Sequence, residues 1–169
     1  MMEAFERAVY RSRQFVGSLR PRIDIGARDD AYALLSDGER ALFESMTTRD
    51  QQHGLEVYSR LREQGQAARD LLVAALLHDV GKGRIALWHR VAYVLLDAGA
   101  PGLLDRLATP SDAPGWRPAL YRCRHHSELG ARLAADAGST ARVVELIRSA
   151  DDDTGDEGAL ALKAADDTL

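Results

Sequence analysis

A single cysteine, Cys123, among 169 residues leaves no partner for an internal disulfide and no material for a cysteine-cluster zinc site. Any metal would have to be held mainly by histidine and carboxylate. No apolar run approaches the roughly 20 residues that a membrane-spanning helix needs. The stretch Met1 to Leu19 interleaves Glu3, Glu6, Arg7, Arg11 and Arg13 with its apolar residues, so the unbroken apolar centre of a secretion signal is missing and a cytoplasmic location is the default expectation. Positive charge is not in excess either: the formal net charge is −4, which offers no global field to attract nucleic acid, although a small anion could still be met by local positive charge. Strand patterns and internal repeats are also lacking. What remains is a hydrophobic fraction of 46%, ordinary for a globular chain long enough to build a real core. We read it as an N-terminal helical segment, 1–46, packed on a core domain, 47–169.

The apolar positions recur at helical spacing nearly throughout. Phe5, Ala8, Val9, Phe15, Val16 and Leu19 suggest an amphipathic helix over Glu3 to Leu19, broken by Pro21. Ser36 followed by Glu39 reads as a capping box that starts a short helix through Leu42, Phe43 and Met46. Thr47 to Asp50 gives a weaker start for a helix that carries His53, Val57 and Leu61 on one face and ends near Gly65. Arg84 to Ala98 predicts another, through Ile85, Trp88, Ala92, Leu95 and Leu96, closed by Gly99 and Pro101. Pro110, Pro114, Gly115 and Pro118 mark Thr109 to Pro118 as a loop. One helix then runs through Leu120, Cys123, His126, Leu129 and Leu133 to Gly138, and Ser139 or Thr140 caps the next, through Val143, Val144, Leu146 and Ile147. After the acidic, turn-like loop Asp151 to Asp156 comes a last helix, from about Glu157 to Asp167, where Ala159, Leu162 and Asp166 share a face. The expected fold is all-α, a bundle of roughly seven or eight helices.

Within this pattern one stretch carries chemistry. Leu71 to Leu77 is apolar all round, as a fully buried helix is, and ends in His78-Asp79-Val80-Gly81-Lys82. The histidine and aspartate are placed on the last turn of that helix, with Gly81 as the left-handed stop. Held on a rigid helix end, they can offer nitrogen and oxygen to a divalent cation. His53 precedes them by one helix and a turn, so the three side chains could converge.

His53, then His78-Asp79-Val80-Gly81-Lys82, then a late Ala165-Asp166 resembles the HD-domain superfamily of metal-dependent phosphohydrolases, over about Arg49 to Asp167. Leu146-Ile147 before an acidic loop, and His126-Ser127-Glu128-Leu129-Gly130, look like later parts of the same family. The resemblance implies an HD-domain-like helical bundle and one divalent metal ion (Mn, Mg, Fe, Co or Zn) on His53, His78, Asp79 and Asp166. Asp167 and Asp151 stand as alternatives for the distal carboxylate. Where two-metal members place further histidines this chain has Ser149-Ala150, which favours one metal, and the Gly-Tyr-Pro element of the cyclic-dinucleotide phosphodiesterases is absent.

The implied reaction is hydrolysis of a small phosphorylated substrate, a nucleotide or a related molecule, by a metal-activated water. Asp79 would orient that water, while Lys82, Arg122 and Arg124 would offset phosphate charge. His126, and less so His125, could bind the phosphate, act as a general acid or hold a weak second metal. His89, Trp88 and Trp116 are read as structural, the tryptophans as core or loop anchors. The rival reading is a non-catalytic HD-like module that binds a nucleotide or a protein. Neither a membrane nor nucleic acid is expected as a partner.

Overall fold

The computed structural model describes residues 25–111, 115–152 and 155–169; the helix expected over Glu3 to Leu19 lies outside these. The described residues are all-helical. They form α1 (Ile25–Leu34), α2 (Asp37–Ser45), α3 (Thr48–Glu63), α4 (Arg69–Leu77), a 3-10 turn (Val80–Lys82), α5 (Leu87–Gly99), α6 (Pro101–Leu107), α7 (Trp116–Arg124), α8 (His126–Asp136), α9 (Ala141–Arg148) and α10 (Glu157–Asp167), with no strand among them. The chain divides into two compact units: 84–125 (with 1–21) is inserted into a larger one made of 22–83 and 126–169.

In the larger unit α4 is the central element. Every side chain from Leu71 to Leu77 is buried, because α1, α2, α3, α9 and α10 all pack around it. That is why its sequence shows no polar face. Ala31, Leu35, Phe43 and Met46 belong to the same buried cluster as Leu72, Leu76, Leu146 and Leu162. The starts of α2, α3 and α9 are set locally. Ser36 and Glu39 complete a capping box, Thr47 accepts from the Asp50 N–H, and Thr140 accepts from the Val143 N–H. Buried Glu39 also receives the Arg69 guanidinium at 2.6 Å, which ties the start of α4 to that of α2.

The inserted unit is smaller. Its α5, α6 and α7 pack on one another, with Ile85, Ala119 and Cys123 in a small buried cluster.

Several sequence expectations need correction. The helix count rises to ten among the described residues for three reasons. α1 lacks a clear apolar stripe. Pro101, expected to close a helix, occupies the first turn of α6, since proline suits both places. The helix predicted through residues 120–133 breaks at His125 (φ −113°, ψ 19°), where no glycine or proline gives warning. Ile85 lies before α5 rather than within it. Trp88 and Trp116 are 58% and 44% exposed, so they are not core anchors.

Gly81 is not the left-handed stop either. α4 ends at Leu77, His78 caps it, Asp79 enters the 3-10 turn, and the positive φ (62°) falls on Gly83. The pair therefore sits one step beyond the last turn.

Candidate functional site

His53 and Asp166 lie 113 residues apart, yet their side chains meet. His53 Nε2 is 2.6 Å from Asp166 Oδ1. His78 Nε2 is 3.6 Å from the same oxygen, and the two imidazole centroids are 5.3 Å apart. One donor atom from each of His53, His78 and Asp166 lies within 4.8 Å of the others. Three elements supply them: α3, the end of α4 and α10. Packing explains the meeting of the histidines. A Cβ on Gly54 would fall 2.8 Å from the Leu76 carbonyl oxygen, so only glycine lets α3 approach α4 this closely, and the contact sets His53 beside His78. Sequence reasoning missed Gly54; the small residue next to a candidate ligand was the available signal. On α10, Ala159, Leu162 and Ala165 are buried, and the helix turns Asp166 toward the site while Asp167 stays exposed.

His78 is the electrostatic centre of this arrangement. Its Nδ1 lies 2.9 Å from the Ala75 carbonyl oxygen, which can only accept, so Nδ1 carries the proton and Nε2 faces the site. That Nε2 is buried and has no hydrogen bond; Asp79 Oδ1 at 3.4 Å and Asp166 Oδ1 at 3.6 Å are its polar neighbours. Burial opposes protonation of the imidazole, but the charges of Asp79 and Asp166 outweigh it and push His78 up to about 9. Burial would raise Asp166 as well, yet His53 and His78 hold its carboxyl far below the usual range. Asp79 is likewise held well below it, with Lys82, His78 and His126 outweighing its desolvation. An electron-rich pocket that draws protons so strongly is also one that suits a cation.

A divalent metal fits the donors present. Two imidazole nitrogens are borderline donors and a carboxylate oxygen is a hard one, a mixed set that does not choose among Mn, Mg, Fe, Co and Zn. His53 and Asp166 have side chains 29% and 37% exposed, whereas His78 and Asp79 are 3% exposed, so the cluster opens to solvent on the His53–Asp166 side.

Asp79 faces a second group of residues. Lys82 Nζ lies 2.5 Å from its Oδ1, and His126 Nε2 lies 3.6 Å from the same oxygen. Beyond His126 comes Asp151, with Oδ2 3.5 Å from Nε2 and hydrogen-bonded to the Ser127 hydroxyl. Asp151 is thus a neighbour of His126 and not one of the three clustered donors.

Arg122, Arg124 and His125, read from the sequence as phosphate contacts, belong to the inserted unit. There Arg124 pairs with Asp105 at 2.7 Å and His125 stacks on Tyr121 with centroids 4.3 Å apart.

No protein-family model, curated protein or solved structure matches the chain.

Proposed function

We propose that the larger unit is a metal-dependent phosphohydrolase of the HD type, acting on a small phosphate ester such as a nucleotide. The observation that carries this reading is the convergence of His53, His78 and Asp166 from three separate elements, with the buried His78 Nε2 facing the carboxylates of Asp79 and Asp166 but making no hydrogen bond. Titratable groups strongly perturbed by burial and by specific charge partners cluster at functional sites, and His78, Asp79 and Asp166 are perturbed in this way.

His53, His78 and Asp166 would hold the ion, with Asp79 as a further ligand. Bound there, a divalent metal supplies Lewis acidity toward the phosphoryl oxygen and lowers the pKa of a bound water. The chain's own residues provide the rest. Lys82, a quarter exposed, carries a positive charge beside Asp79 and can swing to the substrate phosphate. His126, 3.6 Å from Asp79 and 3.5 Å from Asp151, would hand a proton to the departing oxygen. Asp79, with Lys82 and His126 beside its Oδ1, would accept from the attacking water and so orient it. No serine or cysteine nucleophile is needed.

A second reading has one observation in its favour. Lys82 already neutralises Asp79 at 2.5 Å, and a carboxylate so paired is partly withdrawn as a ligand, as in a module that binds a nucleotide without turning it over. Elemental analysis of the purified protein and of H78A separates the two. About one equivalent of metal, absent from H78A, together with phosphate-ester hydrolysis that H78A also lacks, supports the hydrolase. No metal in either protein after incubation with Mn or Fe overturns it and leaves the binding module.

A further inference from the structure

Gly81 lies within the His-Asp-Val-Gly-Lys stretch but contributes no side chain to the site, and its φ is not positive. The reason for glycine there is contact. A Cβ on Gly81 would fall 2.0 Å from the His126 carbonyl oxygen and 2.6 Å from the Gly130 amide nitrogen, where real Cβ atoms stay beyond about 3 Å. Both obstacles are backbone atoms of the first turns of α8, so no rotamer change relieves the clash. On the other side, the 3-10 turn is closed on itself by the Lys82 N–H donating to the Asp79 carbonyl at 3.0 Å, with Val80 buried. A side chain on Gly81 would therefore push α8 away, and with it His126, its first residue.

We propose that Gly81 is a positioning residue: its bare backbone lets α8 rest on the 3-10 turn and so sets the reach of the His126 imidazole to Asp79. Gly130 forms the other half of the contact. A Cβ there would stand 3.4 Å from the Gly81 amide nitrogen and 3.3 Å from Ile147 Cγ2, a tight fit that its neighbours can absorb. The two halves of the candidate site are then placed by different glycines. Gly54 sets His53 against His78, and Gly81 sets His126 against Asp79. The role given to His126 rests on the phosphohydrolase reading; the placement of His126 does not.

The test pairs G81A with H126A and the double variant, reading metal content, kcat and KM on a phosphate ester, and the imidazole resonances of His126, assigned by their loss in H126A. We expect G81A to fold, to keep its metal and to shift the His126 resonances. Its kcat should fall about a hundredfold, as a misplacement of about 1 Å can cause. The double variant should be no slower than H126A alone, since Gly81 acts through His126. Unmoved His126 resonances, losses that multiply in the double variant, or loss of metal in G81A would each overturn the proposal. Should G81A fail to fold, G130A carries the same test with a smaller shift and the same non-additivity with H126A. If the wild-type protein holds no metal and cleaves no ester, the phosphohydrolase reading fails, while the His126 resonances of G81A still decide whether Gly81 positions it.

Discussion

The larger unit and the inserted unit are built from different material. The larger unit has twelve basic residues against twenty-one acidic ones; the other has ten arginines against five acidic residues and both tryptophans. Among the described residues, one buried hydrophobic cluster of the larger unit draws on every one of its helices, whereas in the inserted unit Ile85, Ala119 and Cys123 cluster, Leu104 and Leu120 are buried, and Trp88, Leu95, Leu103 and Trp116 are between 38% and 58% exposed. The net charge of −4 is thus the sum of two parts of opposite sign. A rigid, closely packed frame is what a cation site needs, because its ligands must be held before the ion arrives. A surface that exposes Arg84, Arg106, Arg117 and Arg124 beside half-exposed rings is suited to contact with other molecules.

The widest gap between the units should appear when the cluster itself is cut. H78A and D166A should lose the metal, with activity falling by more than the 10–100-fold that loss of a mere supporting partner costs. D167A should leave both unchanged. Elemental analysis with a phosphate-ester assay reads all three, and metal loss in D167A but not D166A would move the distal ligand one residue along α10. Next in size is the core. Phe43 is fully buried, so F43A should lower the unfolding free energy of the larger unit by about 3–5 kcal/mol in urea.

Much of this frame was legible. Apolar periodicity with the Ser36, Thr47 and Thr140 caps located α2, α3 and α9, and α10 runs over the expected Glu157–Asp167. Local signals fixed these ends, and local signals are what a sequence exposes. His53, His78 and Asp166 lie together, whereas the spacing of the sequence brings His53 toward His78 and Asp79, and Asp166 is implied only by the family resemblance. Tertiary contact hid the rest. The break at His125 carries no breaker residue. Gly81 looked like a conformational stop, yet it is glycine because α8 touches it. The exposure of Trp88 could not be foreseen, since a large aromatic ring in an apolar pattern is ordinarily buried.

A smaller effect sharpens the account of the larger unit. Burial opposes ionisation of Glu39, but the Ser36 N–H, then the hydroxyls of Ser139 and Ser36, and last the Arg69 guanidinium outweigh it and hold its carboxyl below the usual value. A depressed folded-state pKa adds stability that is present above the unfolded value and is lost as pH falls through the acid range. E39Q should therefore cost about 1–3 kcal/mol near neutral pH and reduce the acid-side fall in stability. A wild-type acid limb in E39Q would remove Glu39 from that role.

The smallest effect is expected where the two units differ most. Among the described residues Trp88 is the most exposed large apolar side chain, and its ring leans on His89 with centroids 3.7 Å apart. Replacing a buried tryptophan by alanine costs about 3–5 kcal/mol, whereas a surface change away from special contacts stays within about 0.5 kcal/mol. W88A should fall in the second class, with an unchanged denaturant midpoint and an unchanged metal content. A loss of several kcal/mol would mean that the ring is covered in solution, and the contrast between a closed frame and an open insert would then fail at its clearest point. Unchanged stability together with a raised KM would instead assign the exposed ring to substrate contact, the kind of work that a half-buried aromatic can do without supporting the fold.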